Sequence, residues 1–328
     1  MKSRHLGKAG FSVSEIGLGC WQLGADWGAP LAEESGLEIL ETALENGVTF
    51  FDTANVYGSG KSESLIGKLL ANKNRSDIRV ATKFGRGDGI YPDGYSEQSL
   101  REGIDASRKR LGMDCLDLVQ LHCVPTEVMR DGAIFDWLRT LKSEGVIRHF
   151  GASVETVEEG LMCIQQEGLL SLQVIYNIFR QKLTTQLLPQ AQEKGVGIIV
   201  RLPLASGMLS GKFTAQTTFA EDDHRNFNRD GQCFNVGETF AGLPYEKGLE
   251  LVEELKSMLP EGVSMADMAQ RWILDHEAVS TIIPGASRPD QIGRNAKISD
   301  LPALSDDLHK ALITFYEEKV AAHVRGAY

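Results

Sequence analysis

FDTANVYGSGKSES, residues 51–64, can be read in two ways. From Gly58 onward it looks like a loop that grips phosphate, because Gly60-Lys61-Ser62 is the end of a P-loop. From Phe51 to Tyr57 it reads as a strand that ends in an acid and is followed by a tyrosine. The first reading fails on spacing. A P-loop requires a glycine five residues before its Gly-Lys-Ser, and Asn55 stands there. What remains of Gly58-Ser59-Gly60 is a loop leading into a helix near Ser62. Gly17-Leu18-Gly19 fails as a dinucleotide fingerprint too. Its third glycine belongs at position 22, which is Gln22, and the residues continue a strand where a helix should open.

Moving outward, the strand at 49–53 is one of eight short, β-rich apolar runs. The others are 16–21, 78–83, 116–122, 148–153, 172–177, 197–203 and 281–285. Helical stretches separate them at 33–46, 96–111, 131–144, 155–167 and 185–194, and each ends at or beside a glycine. Ser96 is the expected N-cap of the second of these. Strands covered by helices on their outer faces form parallel sheets. Eight such units in 328 residues predict a closed (β/α)8 barrel, an α/β fold, rather than an open doubly wound sheet. The opening segment RHLGKAGFSVS, 4–14, predicts a β-hairpin that plugs the barrel floor. The stretch 206–245, after the seventh strand, is a long Gly- and Asn-rich loop on the C-terminal face. No linker divides the chain, so residues 1–328 are expected to form a single domain.

The net charge of −11 argues against a nucleic-acid or anionic-membrane partner, leaving room for one local basic pocket. No apolar run approaches the ~18 residues of a membrane span, and the N-terminus lacks the apolar core of a secretory signal. Cys20, Cys115, Cys123, Cys163 and Cys233 are scattered, and they predict reduced, buried thiols in a cytoplasmic protein. His122 beside Cys123 lacks partners at ligand spacing, so no metal site is expected.

In a (β/α)8 barrel the chemistry sits at the C-terminal ends of the strands. Three consecutive strands end there in ionisable residues: TFFDT in Asp52, VATKF in Lys83 and LVQLH in His122. Tyr57 follows Asp52 on the loop over the same rim. A phenol titrates near ~10 and exchanges protons poorly at neutral pH. A lysine ammonium beside it favours the phenolate and lowers that value, and a carboxylate holds the lysine charged. Tyr57 is then a general acid, and His122 orients the carbonyl oxygen while a cofactor delivers hydride.

These residues resemble the aldo-keto reductase family. The matching pieces are GVTFFDTANVYG (47–58), VATKF (80–84), SRKRLGMDCLDLVQLH (107–122) and IPGASRPDQIGRN (283–295), and the resemblance runs from about residue 5 to about 320. It implies a carbonyl reductase with Asp52, Tyr57, Lys83 and His122 as its catalytic tetrad. The implied cofactor is NADP(H), with NAD(H) as the alternative. By the same resemblance Ser153 and Gln173 hold the nicotinamide carboxamide, and Arg201 stands where an aromatic residue often stacks on the ring. Pro203, Leu204, Ser206, Gly207, Leu209 and Lys212 run along the pyrophosphate. Gly285, Arg288, Gln291 and Asn295 lie at the adenosine phosphate and adenine. The chain departs from the family at Arg201, at Val154, where Asn is common, and near Gly285, where a frequent lysine is missing.

Trp21 and Trp27 are candidates for the wall of a pocket that takes a small carbonyl or sugar substrate. Phe227, Phe234 and Phe240, with Asp222, Asp223, His224 and Arg225, suggest that the long loop is a lid. Some relatives in the family are cofactor-binding regulatory subunits of membrane channels, which gives a second functional class. No segment here resembles a partner-binding extension, so the enzyme is the expectation. A barrel isomerase or lyase working through a metal or a Schiff base on Lys83 would leave Tyr57 and the Arg288 segment unexplained.

Overall fold

The computed structural model describes residues 1–8, 10–24 and 31–328. Strands β1 (Ser3–His5) and β2 (Ser12–Ser14) pair antiparallel, Ser3 opposite Ser14. Eight parallel strands follow, each hydrogen-bonded to the next in chain order: β3 (Leu18–Gly19), β4 (Phe50–Asp52), β5 (Arg79–Phe84), β6 (Leu116–His122), β7 (Ile147–Ser153), β8 (Leu169–Ile175), β9 (Gly197–Arg201) and β10 (Val279–Ile282). Parallel bridges Ile16–Ile282 and Gly19–Gly285 join the first strand to the last and close the (β/α)8 barrel.

The helices form where the sequence supplies both an apolar stripe and end signals. Glu97–Leu111 buries Leu100, Ile104 and Leu111, accepts a cap from Ser96, and stops at Gly112 in the left-handed region. Val157–Cys163 opens with a reciprocal cap between Thr156 and Glu159, each side chain taking the other's backbone N–H.

Several boundaries differ from expectation. The first barrel strand shrinks to two residues because Trp21–Gly24 turns into a 3-10 helix, so Trp21 does not end a strand. The helix expected over 131–144 is split. Gly132, at φ 87°, separates Thr126–Asp131 from Ala133–Ser143. Strand β8 begins three residues earlier than its apolar run was read, at Leu169. The connection after β9 is not structureless. Phe213, Phe219, Phe240 and Tyr245 pack ring against ring, and Arg225 and Arg229 lie over them. Helices Tyr245–Lys256 and Met265–Leu274, not anticipated from the sequence, complete it. The expectation of buried thiols holds for Cys20, Cys123 and Cys163. Cys115 is half-buried and Cys233 exposed, because the latter lies on the outer part of the long loop.

Two apolar clusters pack on opposite sides of the barrel strands. At the floor, Phe50, Ala81, Leu118, Leu170, Ile199 and Ile283 form an apolar cluster closed from below by Leu6 and Val13 of the hairpin. All eight are at most 6% exposed, so the hairpin is the plug that the sequence suggested. The second, larger cluster lies between the strands and the surrounding helices.

Candidate active site

The four polar residues read from the sequence meet on one rim. Asp52 ends β4, Lys83 is the penultimate residue of β5, and His122 ends β6. The Lys83 ammonium donates three hydrogen bonds: to Asp52 Oδ1 (2.5 Å), to the Thr53 carbonyl (2.8 Å) and to the Tyr57 hydroxyl (3.2 Å). The His122 ring stands edge-on to Tyr57, with centroids 5.9 Å apart. Asp52 and Lys83 are buried at 2% and 1% exposure.

Tyr57 reaches this lysine because its loop is pinned at both ends. A Cβ on Gly58 would lie 2.4 Å from the Gly24 carbonyl oxygen, an approach only glycine permits. On the far side, Thr53 Oγ1 donates to Ser62 Oγ, which donates to the Cys20 carbonyl. The helix Lys61–Ala71 is then fixed by Glu63, which is fully buried and receives Thr82 Oγ1 (2.5 Å) and Arg110 Nε (2.6 Å).

Electrostatics follow from burial and neighbours. Burial pushes the Tyr57 phenol above its ordinary value, and Lys83 offsets only part of that. Lys83 does lower the value, as expected, but desolvation raises it by more, and the phenol keeps its proton at neutral pH. Burial works to lower the Lys83 value, but Asp52 and Tyr57 hold it above the usual lysine range. Burial, with Lys83, Arg86 and Arg201 nearby, drives the His122 imidazole well below its usual value, so it is neutral. Its Nδ1 is buried with no hydrogen-bond partner.

The segments matched to a cofactor line the same end of the barrel. Ser153 ends β7 and accepts a weak hydrogen bond from Cys123 Sγ at 3.5 Å. Gln173 is inside the barrel, where its Nε2 donates to Asp52 Oδ2 at 2.7 Å. Arg201 ends β9. Its guanidinium contacts Cys123 Sγ (3.6 Å), the Val154 carbonyl (3.5 Å) and Glu238 (3.4 Å), while its Nε is buried and unpartnered. Beyond it, Leu202, Ala205, Ser206 and Gly207 all adopt left-handed backbone, φ 48–94°. Ser206 Oγ donates to the Glu238 carbonyl, and Leu204 caps a 3-10 turn. Pro203 and Leu209 are buried and Lys212 is exposed. Gly285 lies on the same rim through its bridge to Gly19, with the Gln22 amide against it. Arg288 caps the helix Pro289–Lys297 and pairs with Asp290 at 3.1 Å. Gln291 Oε1 accepts the N–H groups of Ser287 and Arg288, and Asn295 Oδ1 accepts from Gln270.

Of the pocket-wall candidates, Trp21 packs edge-on against His224 of the long loop, centroids 4.8 Å apart. Trp27 lies outside the described residues. Phe227 and Phe234 stack edge-on 6.1 Å apart, whereas Phe240 turns into the core.

The sequence reading missed the rest of the mouth. Arg86 pairs with Glu155 (2.7 Å) and Glu238 (3.6 Å), and Asn235 donates to Glu155 (2.9 Å). These bonds fasten the long loop to the barrel. Cys123, Glu155 and Glu238 bring their ligand atoms within 4.8 Å of one another. Arg86 and Arg201 neutralise both carboxylates, so the trio is an ion-pair network and not a cation cage. Gln120 was missed as well. Its amide nitrogen donates to Asp52 Oδ2 at 2.9 Å from between Val119 and Leu121 of β6. A polar residue two positions before His122, on the same face of the strand, was the available signal.

Residues 15–317 match the Aldo/keto reductase family. The chain is similar to the uncharacterized oxidoreductase YqkF of Bacillus subtilis (strain 168), 28% identical over 95% of each chain. It is also 31% identical, over 92% of each chain, to a probable voltage-gated potassium channel subunit beta of Arabidopsis thaliana. Among solved structures it resembles the holo form of aldo-keto reductase AKR11C1 from Bacillus halodurans (TM-score 0.77, 27% identity, 96% of each chain). The glycerol dehydrogenase AKR11B4 from Gluconobacter oxydans is similar as well (TM-score 0.77, 27% identity, 99% of this chain and 97% of that one). The chain belongs to the Aldo/keto reductase family and is an oxidoreductase that interconverts carbonyl and alcohol groups.

Proposed function

We propose that this protein reduces an aldehyde or ketone with NADPH, or runs the reverse oxidation of a sugar or polyol, with Tyr57 as the general acid. The observation that carries this reading is the Lys83 ammonium bound at once to Asp52, Thr53 and Tyr57. Tyr57 donates its proton to the oxygen of the reacting carbonyl. Lys83 stabilises the phenolate left behind, and Asp52 keeps Lys83 charged and aimed. Neutral His122 fixes the direction from which the carbonyl oxygen approaches.

The residues present fit a nicotinamide nucleotide. Non-glycine residues held in left-handed backbone between Leu202 and Ser206 mark a segment shaped for a ligand. Ser153, Gln173 and Arg201 would hold the nicotinamide end. Residues 203–212 would follow the pyrophosphate, and Gly285, Arg288, Gln291 and Asn295 the adenosine phosphate. The nicotinamide supplies the hydride when bound. Exposed Arg288, paired with an exposed Asp290, supports NADPH over NADH because it can turn to a phosphate. We read residues 1–328 as one such unit, working in the cytoplasm.

The similarity to a potassium channel subunit beta supports a second reading, in which the same site senses nucleotide for a partner. One experiment separates the two: loss of the NADPH absorbance with a reactive aromatic aldehyde, beside NADH and beside Tyr57→Phe. The reductase reading expects turnover that drops roughly 10²–10⁴-fold in the variant with nucleotide binding retained. Wild-type turnover in Tyr57→Phe overturns the general-acid role. Tight nucleotide binding with no turnover on any aldehyde favours the sensing role.

A further inference from the structure

Two glutamines share the inner side of Asp52. Gln120 on β6 and Gln173 on β8 are 0% and 1% exposed, and both amide nitrogens meet Asp52 Oδ2, at 2.9 and 2.7 Å. Asp52 Oδ1 is taken by Lys83. An ion-paired carboxylate only accepts hydrogen bonds, so the amide atoms facing it must be nitrogens. This settles both amide orientations by chemistry.

Gln173 Nε2 also donates to Gln120 Oε1 at 3.4 Å. Both of its hydrogens are then committed, one to Asp52 and one to Gln120. What the Gln173 side chain can still offer a ligand is its carbonyl oxygen, an acceptor. Strand β7 lies between the two, with Gly151 opposite Gln120 and Ser153 opposite Gln173. A Cβ on Gly151 would lie 2.4 Å from Ser171 Oγ.

We propose that Gln120 is a positioning residue that locks Gln173 as a pure hydrogen-bond acceptor and holds Asp52 toward Lys83, so that a ligand amide N–H₂ at Gln173 is selected and the proton-donating pair is aimed by the same contact. This inference rests on the nucleotide reading. Two consequences follow. The site prefers a nicotinamide carboxamide, which donates, over an acetyl group, which cannot. Loss of Gln120 leaves Gln173 Nε2 on Asp52 but releases its second hydrogen, so the side chain can donate as well as accept and that preference weakens.

The test compares binding of NADP⁺ with that of its 3-acetylpyridine analogue by titration calorimetry, in wild type, Gln120→Leu and Gln120→Met. The wild type should favour NADP⁺ by roughly tenfold, the worth of one good hydrogen bond. Both variants should bring the ratio to within about threefold. With a neutral aldehyde their kcat should fall while KM is held, and the pH profile of kcat should shift because Asp52 loses a donor. A merely structural role would lower Tm without moving the binding ratio or the pH profile. A wild type that binds both nucleotides equally overturns the inference even where a variant does not fold. So does a variant that keeps the wild-type ratio. A wild type that binds neither nucleotide overturns the nucleotide reading as well, which distinguishes the two failures.

Discussion

Four strands carry the same change two residues apart: Phe50 to Asp52, Ala81 to Lys83, Leu118 to Gln120 and Ile199 to Arg201. The first of each pair belongs to the apolar floor, the second to the polar rim. Two residues along a strand keep a side chain on the same face and raise it by roughly 7 Å. The floor is held by burial and shape alone. The rim is as dry as the floor at Asp52, Lys83, Gln120 and Gln173, yet every one of these groups is hydrogen-bonded. Floor residues are therefore replaceable in kind, whereas rim residues depend on one another.

Breaking the rim should cost most. Lys83→Met leaves Asp52 buried without its counter-ion, a loss of about 3–5 kcal/mol, and it abolishes turnover. Urea unfolding measures the first, and a stability within 1 kcal/mol of wild type, by the rule that distinguishes buried from exposed pairs, would show the pair to be weakly held. Breaking the floor should cost stability without chemistry. Leu6→Ala opens a hole under the barrel worth about 2–5 kcal/mol, and the kcat of the folded fraction should stay near wild type. A collapse of kcat alongside would mean that the hairpin positions the rim and does not only plug the floor.

The smallest effect is a pH slope. His122 at the rim and His149, whose ring meets Phe11 beneath the floor, are both depressed by burial. His224 shares that direction, lowered to about 4. In each case the unfolded chain takes up a proton before the folded one, so stability is full above the unfolded value of about 6.5 and falls as the pH drops below it. Tm should decline between pH 7 and pH 5. His122→Asn should flatten that decline more than His149→Asn, since His122 is the more strongly depressed; equal slopes would place the rim and the floor in the same electrostatic environment.

Much of the barrel was legible. The alternation of apolar runs with glycine-terminated helices gave eight strands near their observed places, and strand-end positions alone brought Asp52, Tyr57, Lys83 and His122 together. Less legible was the segment after β9, because its order comes from Phe213, Phe219, Phe240 and Tyr245 clustering across tens of residues under two arginines. No local period encodes such contacts. Arg86, Glu155 and Glu238 were hidden for the same reason: they lie on three separate loops and pair only after folding.

By itself, then, the sequence determined which residues face inward, since strand periodicity is a property of the backbone, and it named the four ionisable residues that meet on one rim. The tertiary structure decided the proton energetics. Lys83 lowers the Tyr57 pKa as its charge dictates, but burial raises it by more, and burial depends on every surrounding element. It also decided that Gln173 spends its amide hydrogens on Asp52 and Gln120. That choice depends on side chains of β4, β6 and β8 meeting inside the barrel, which its closure brings about.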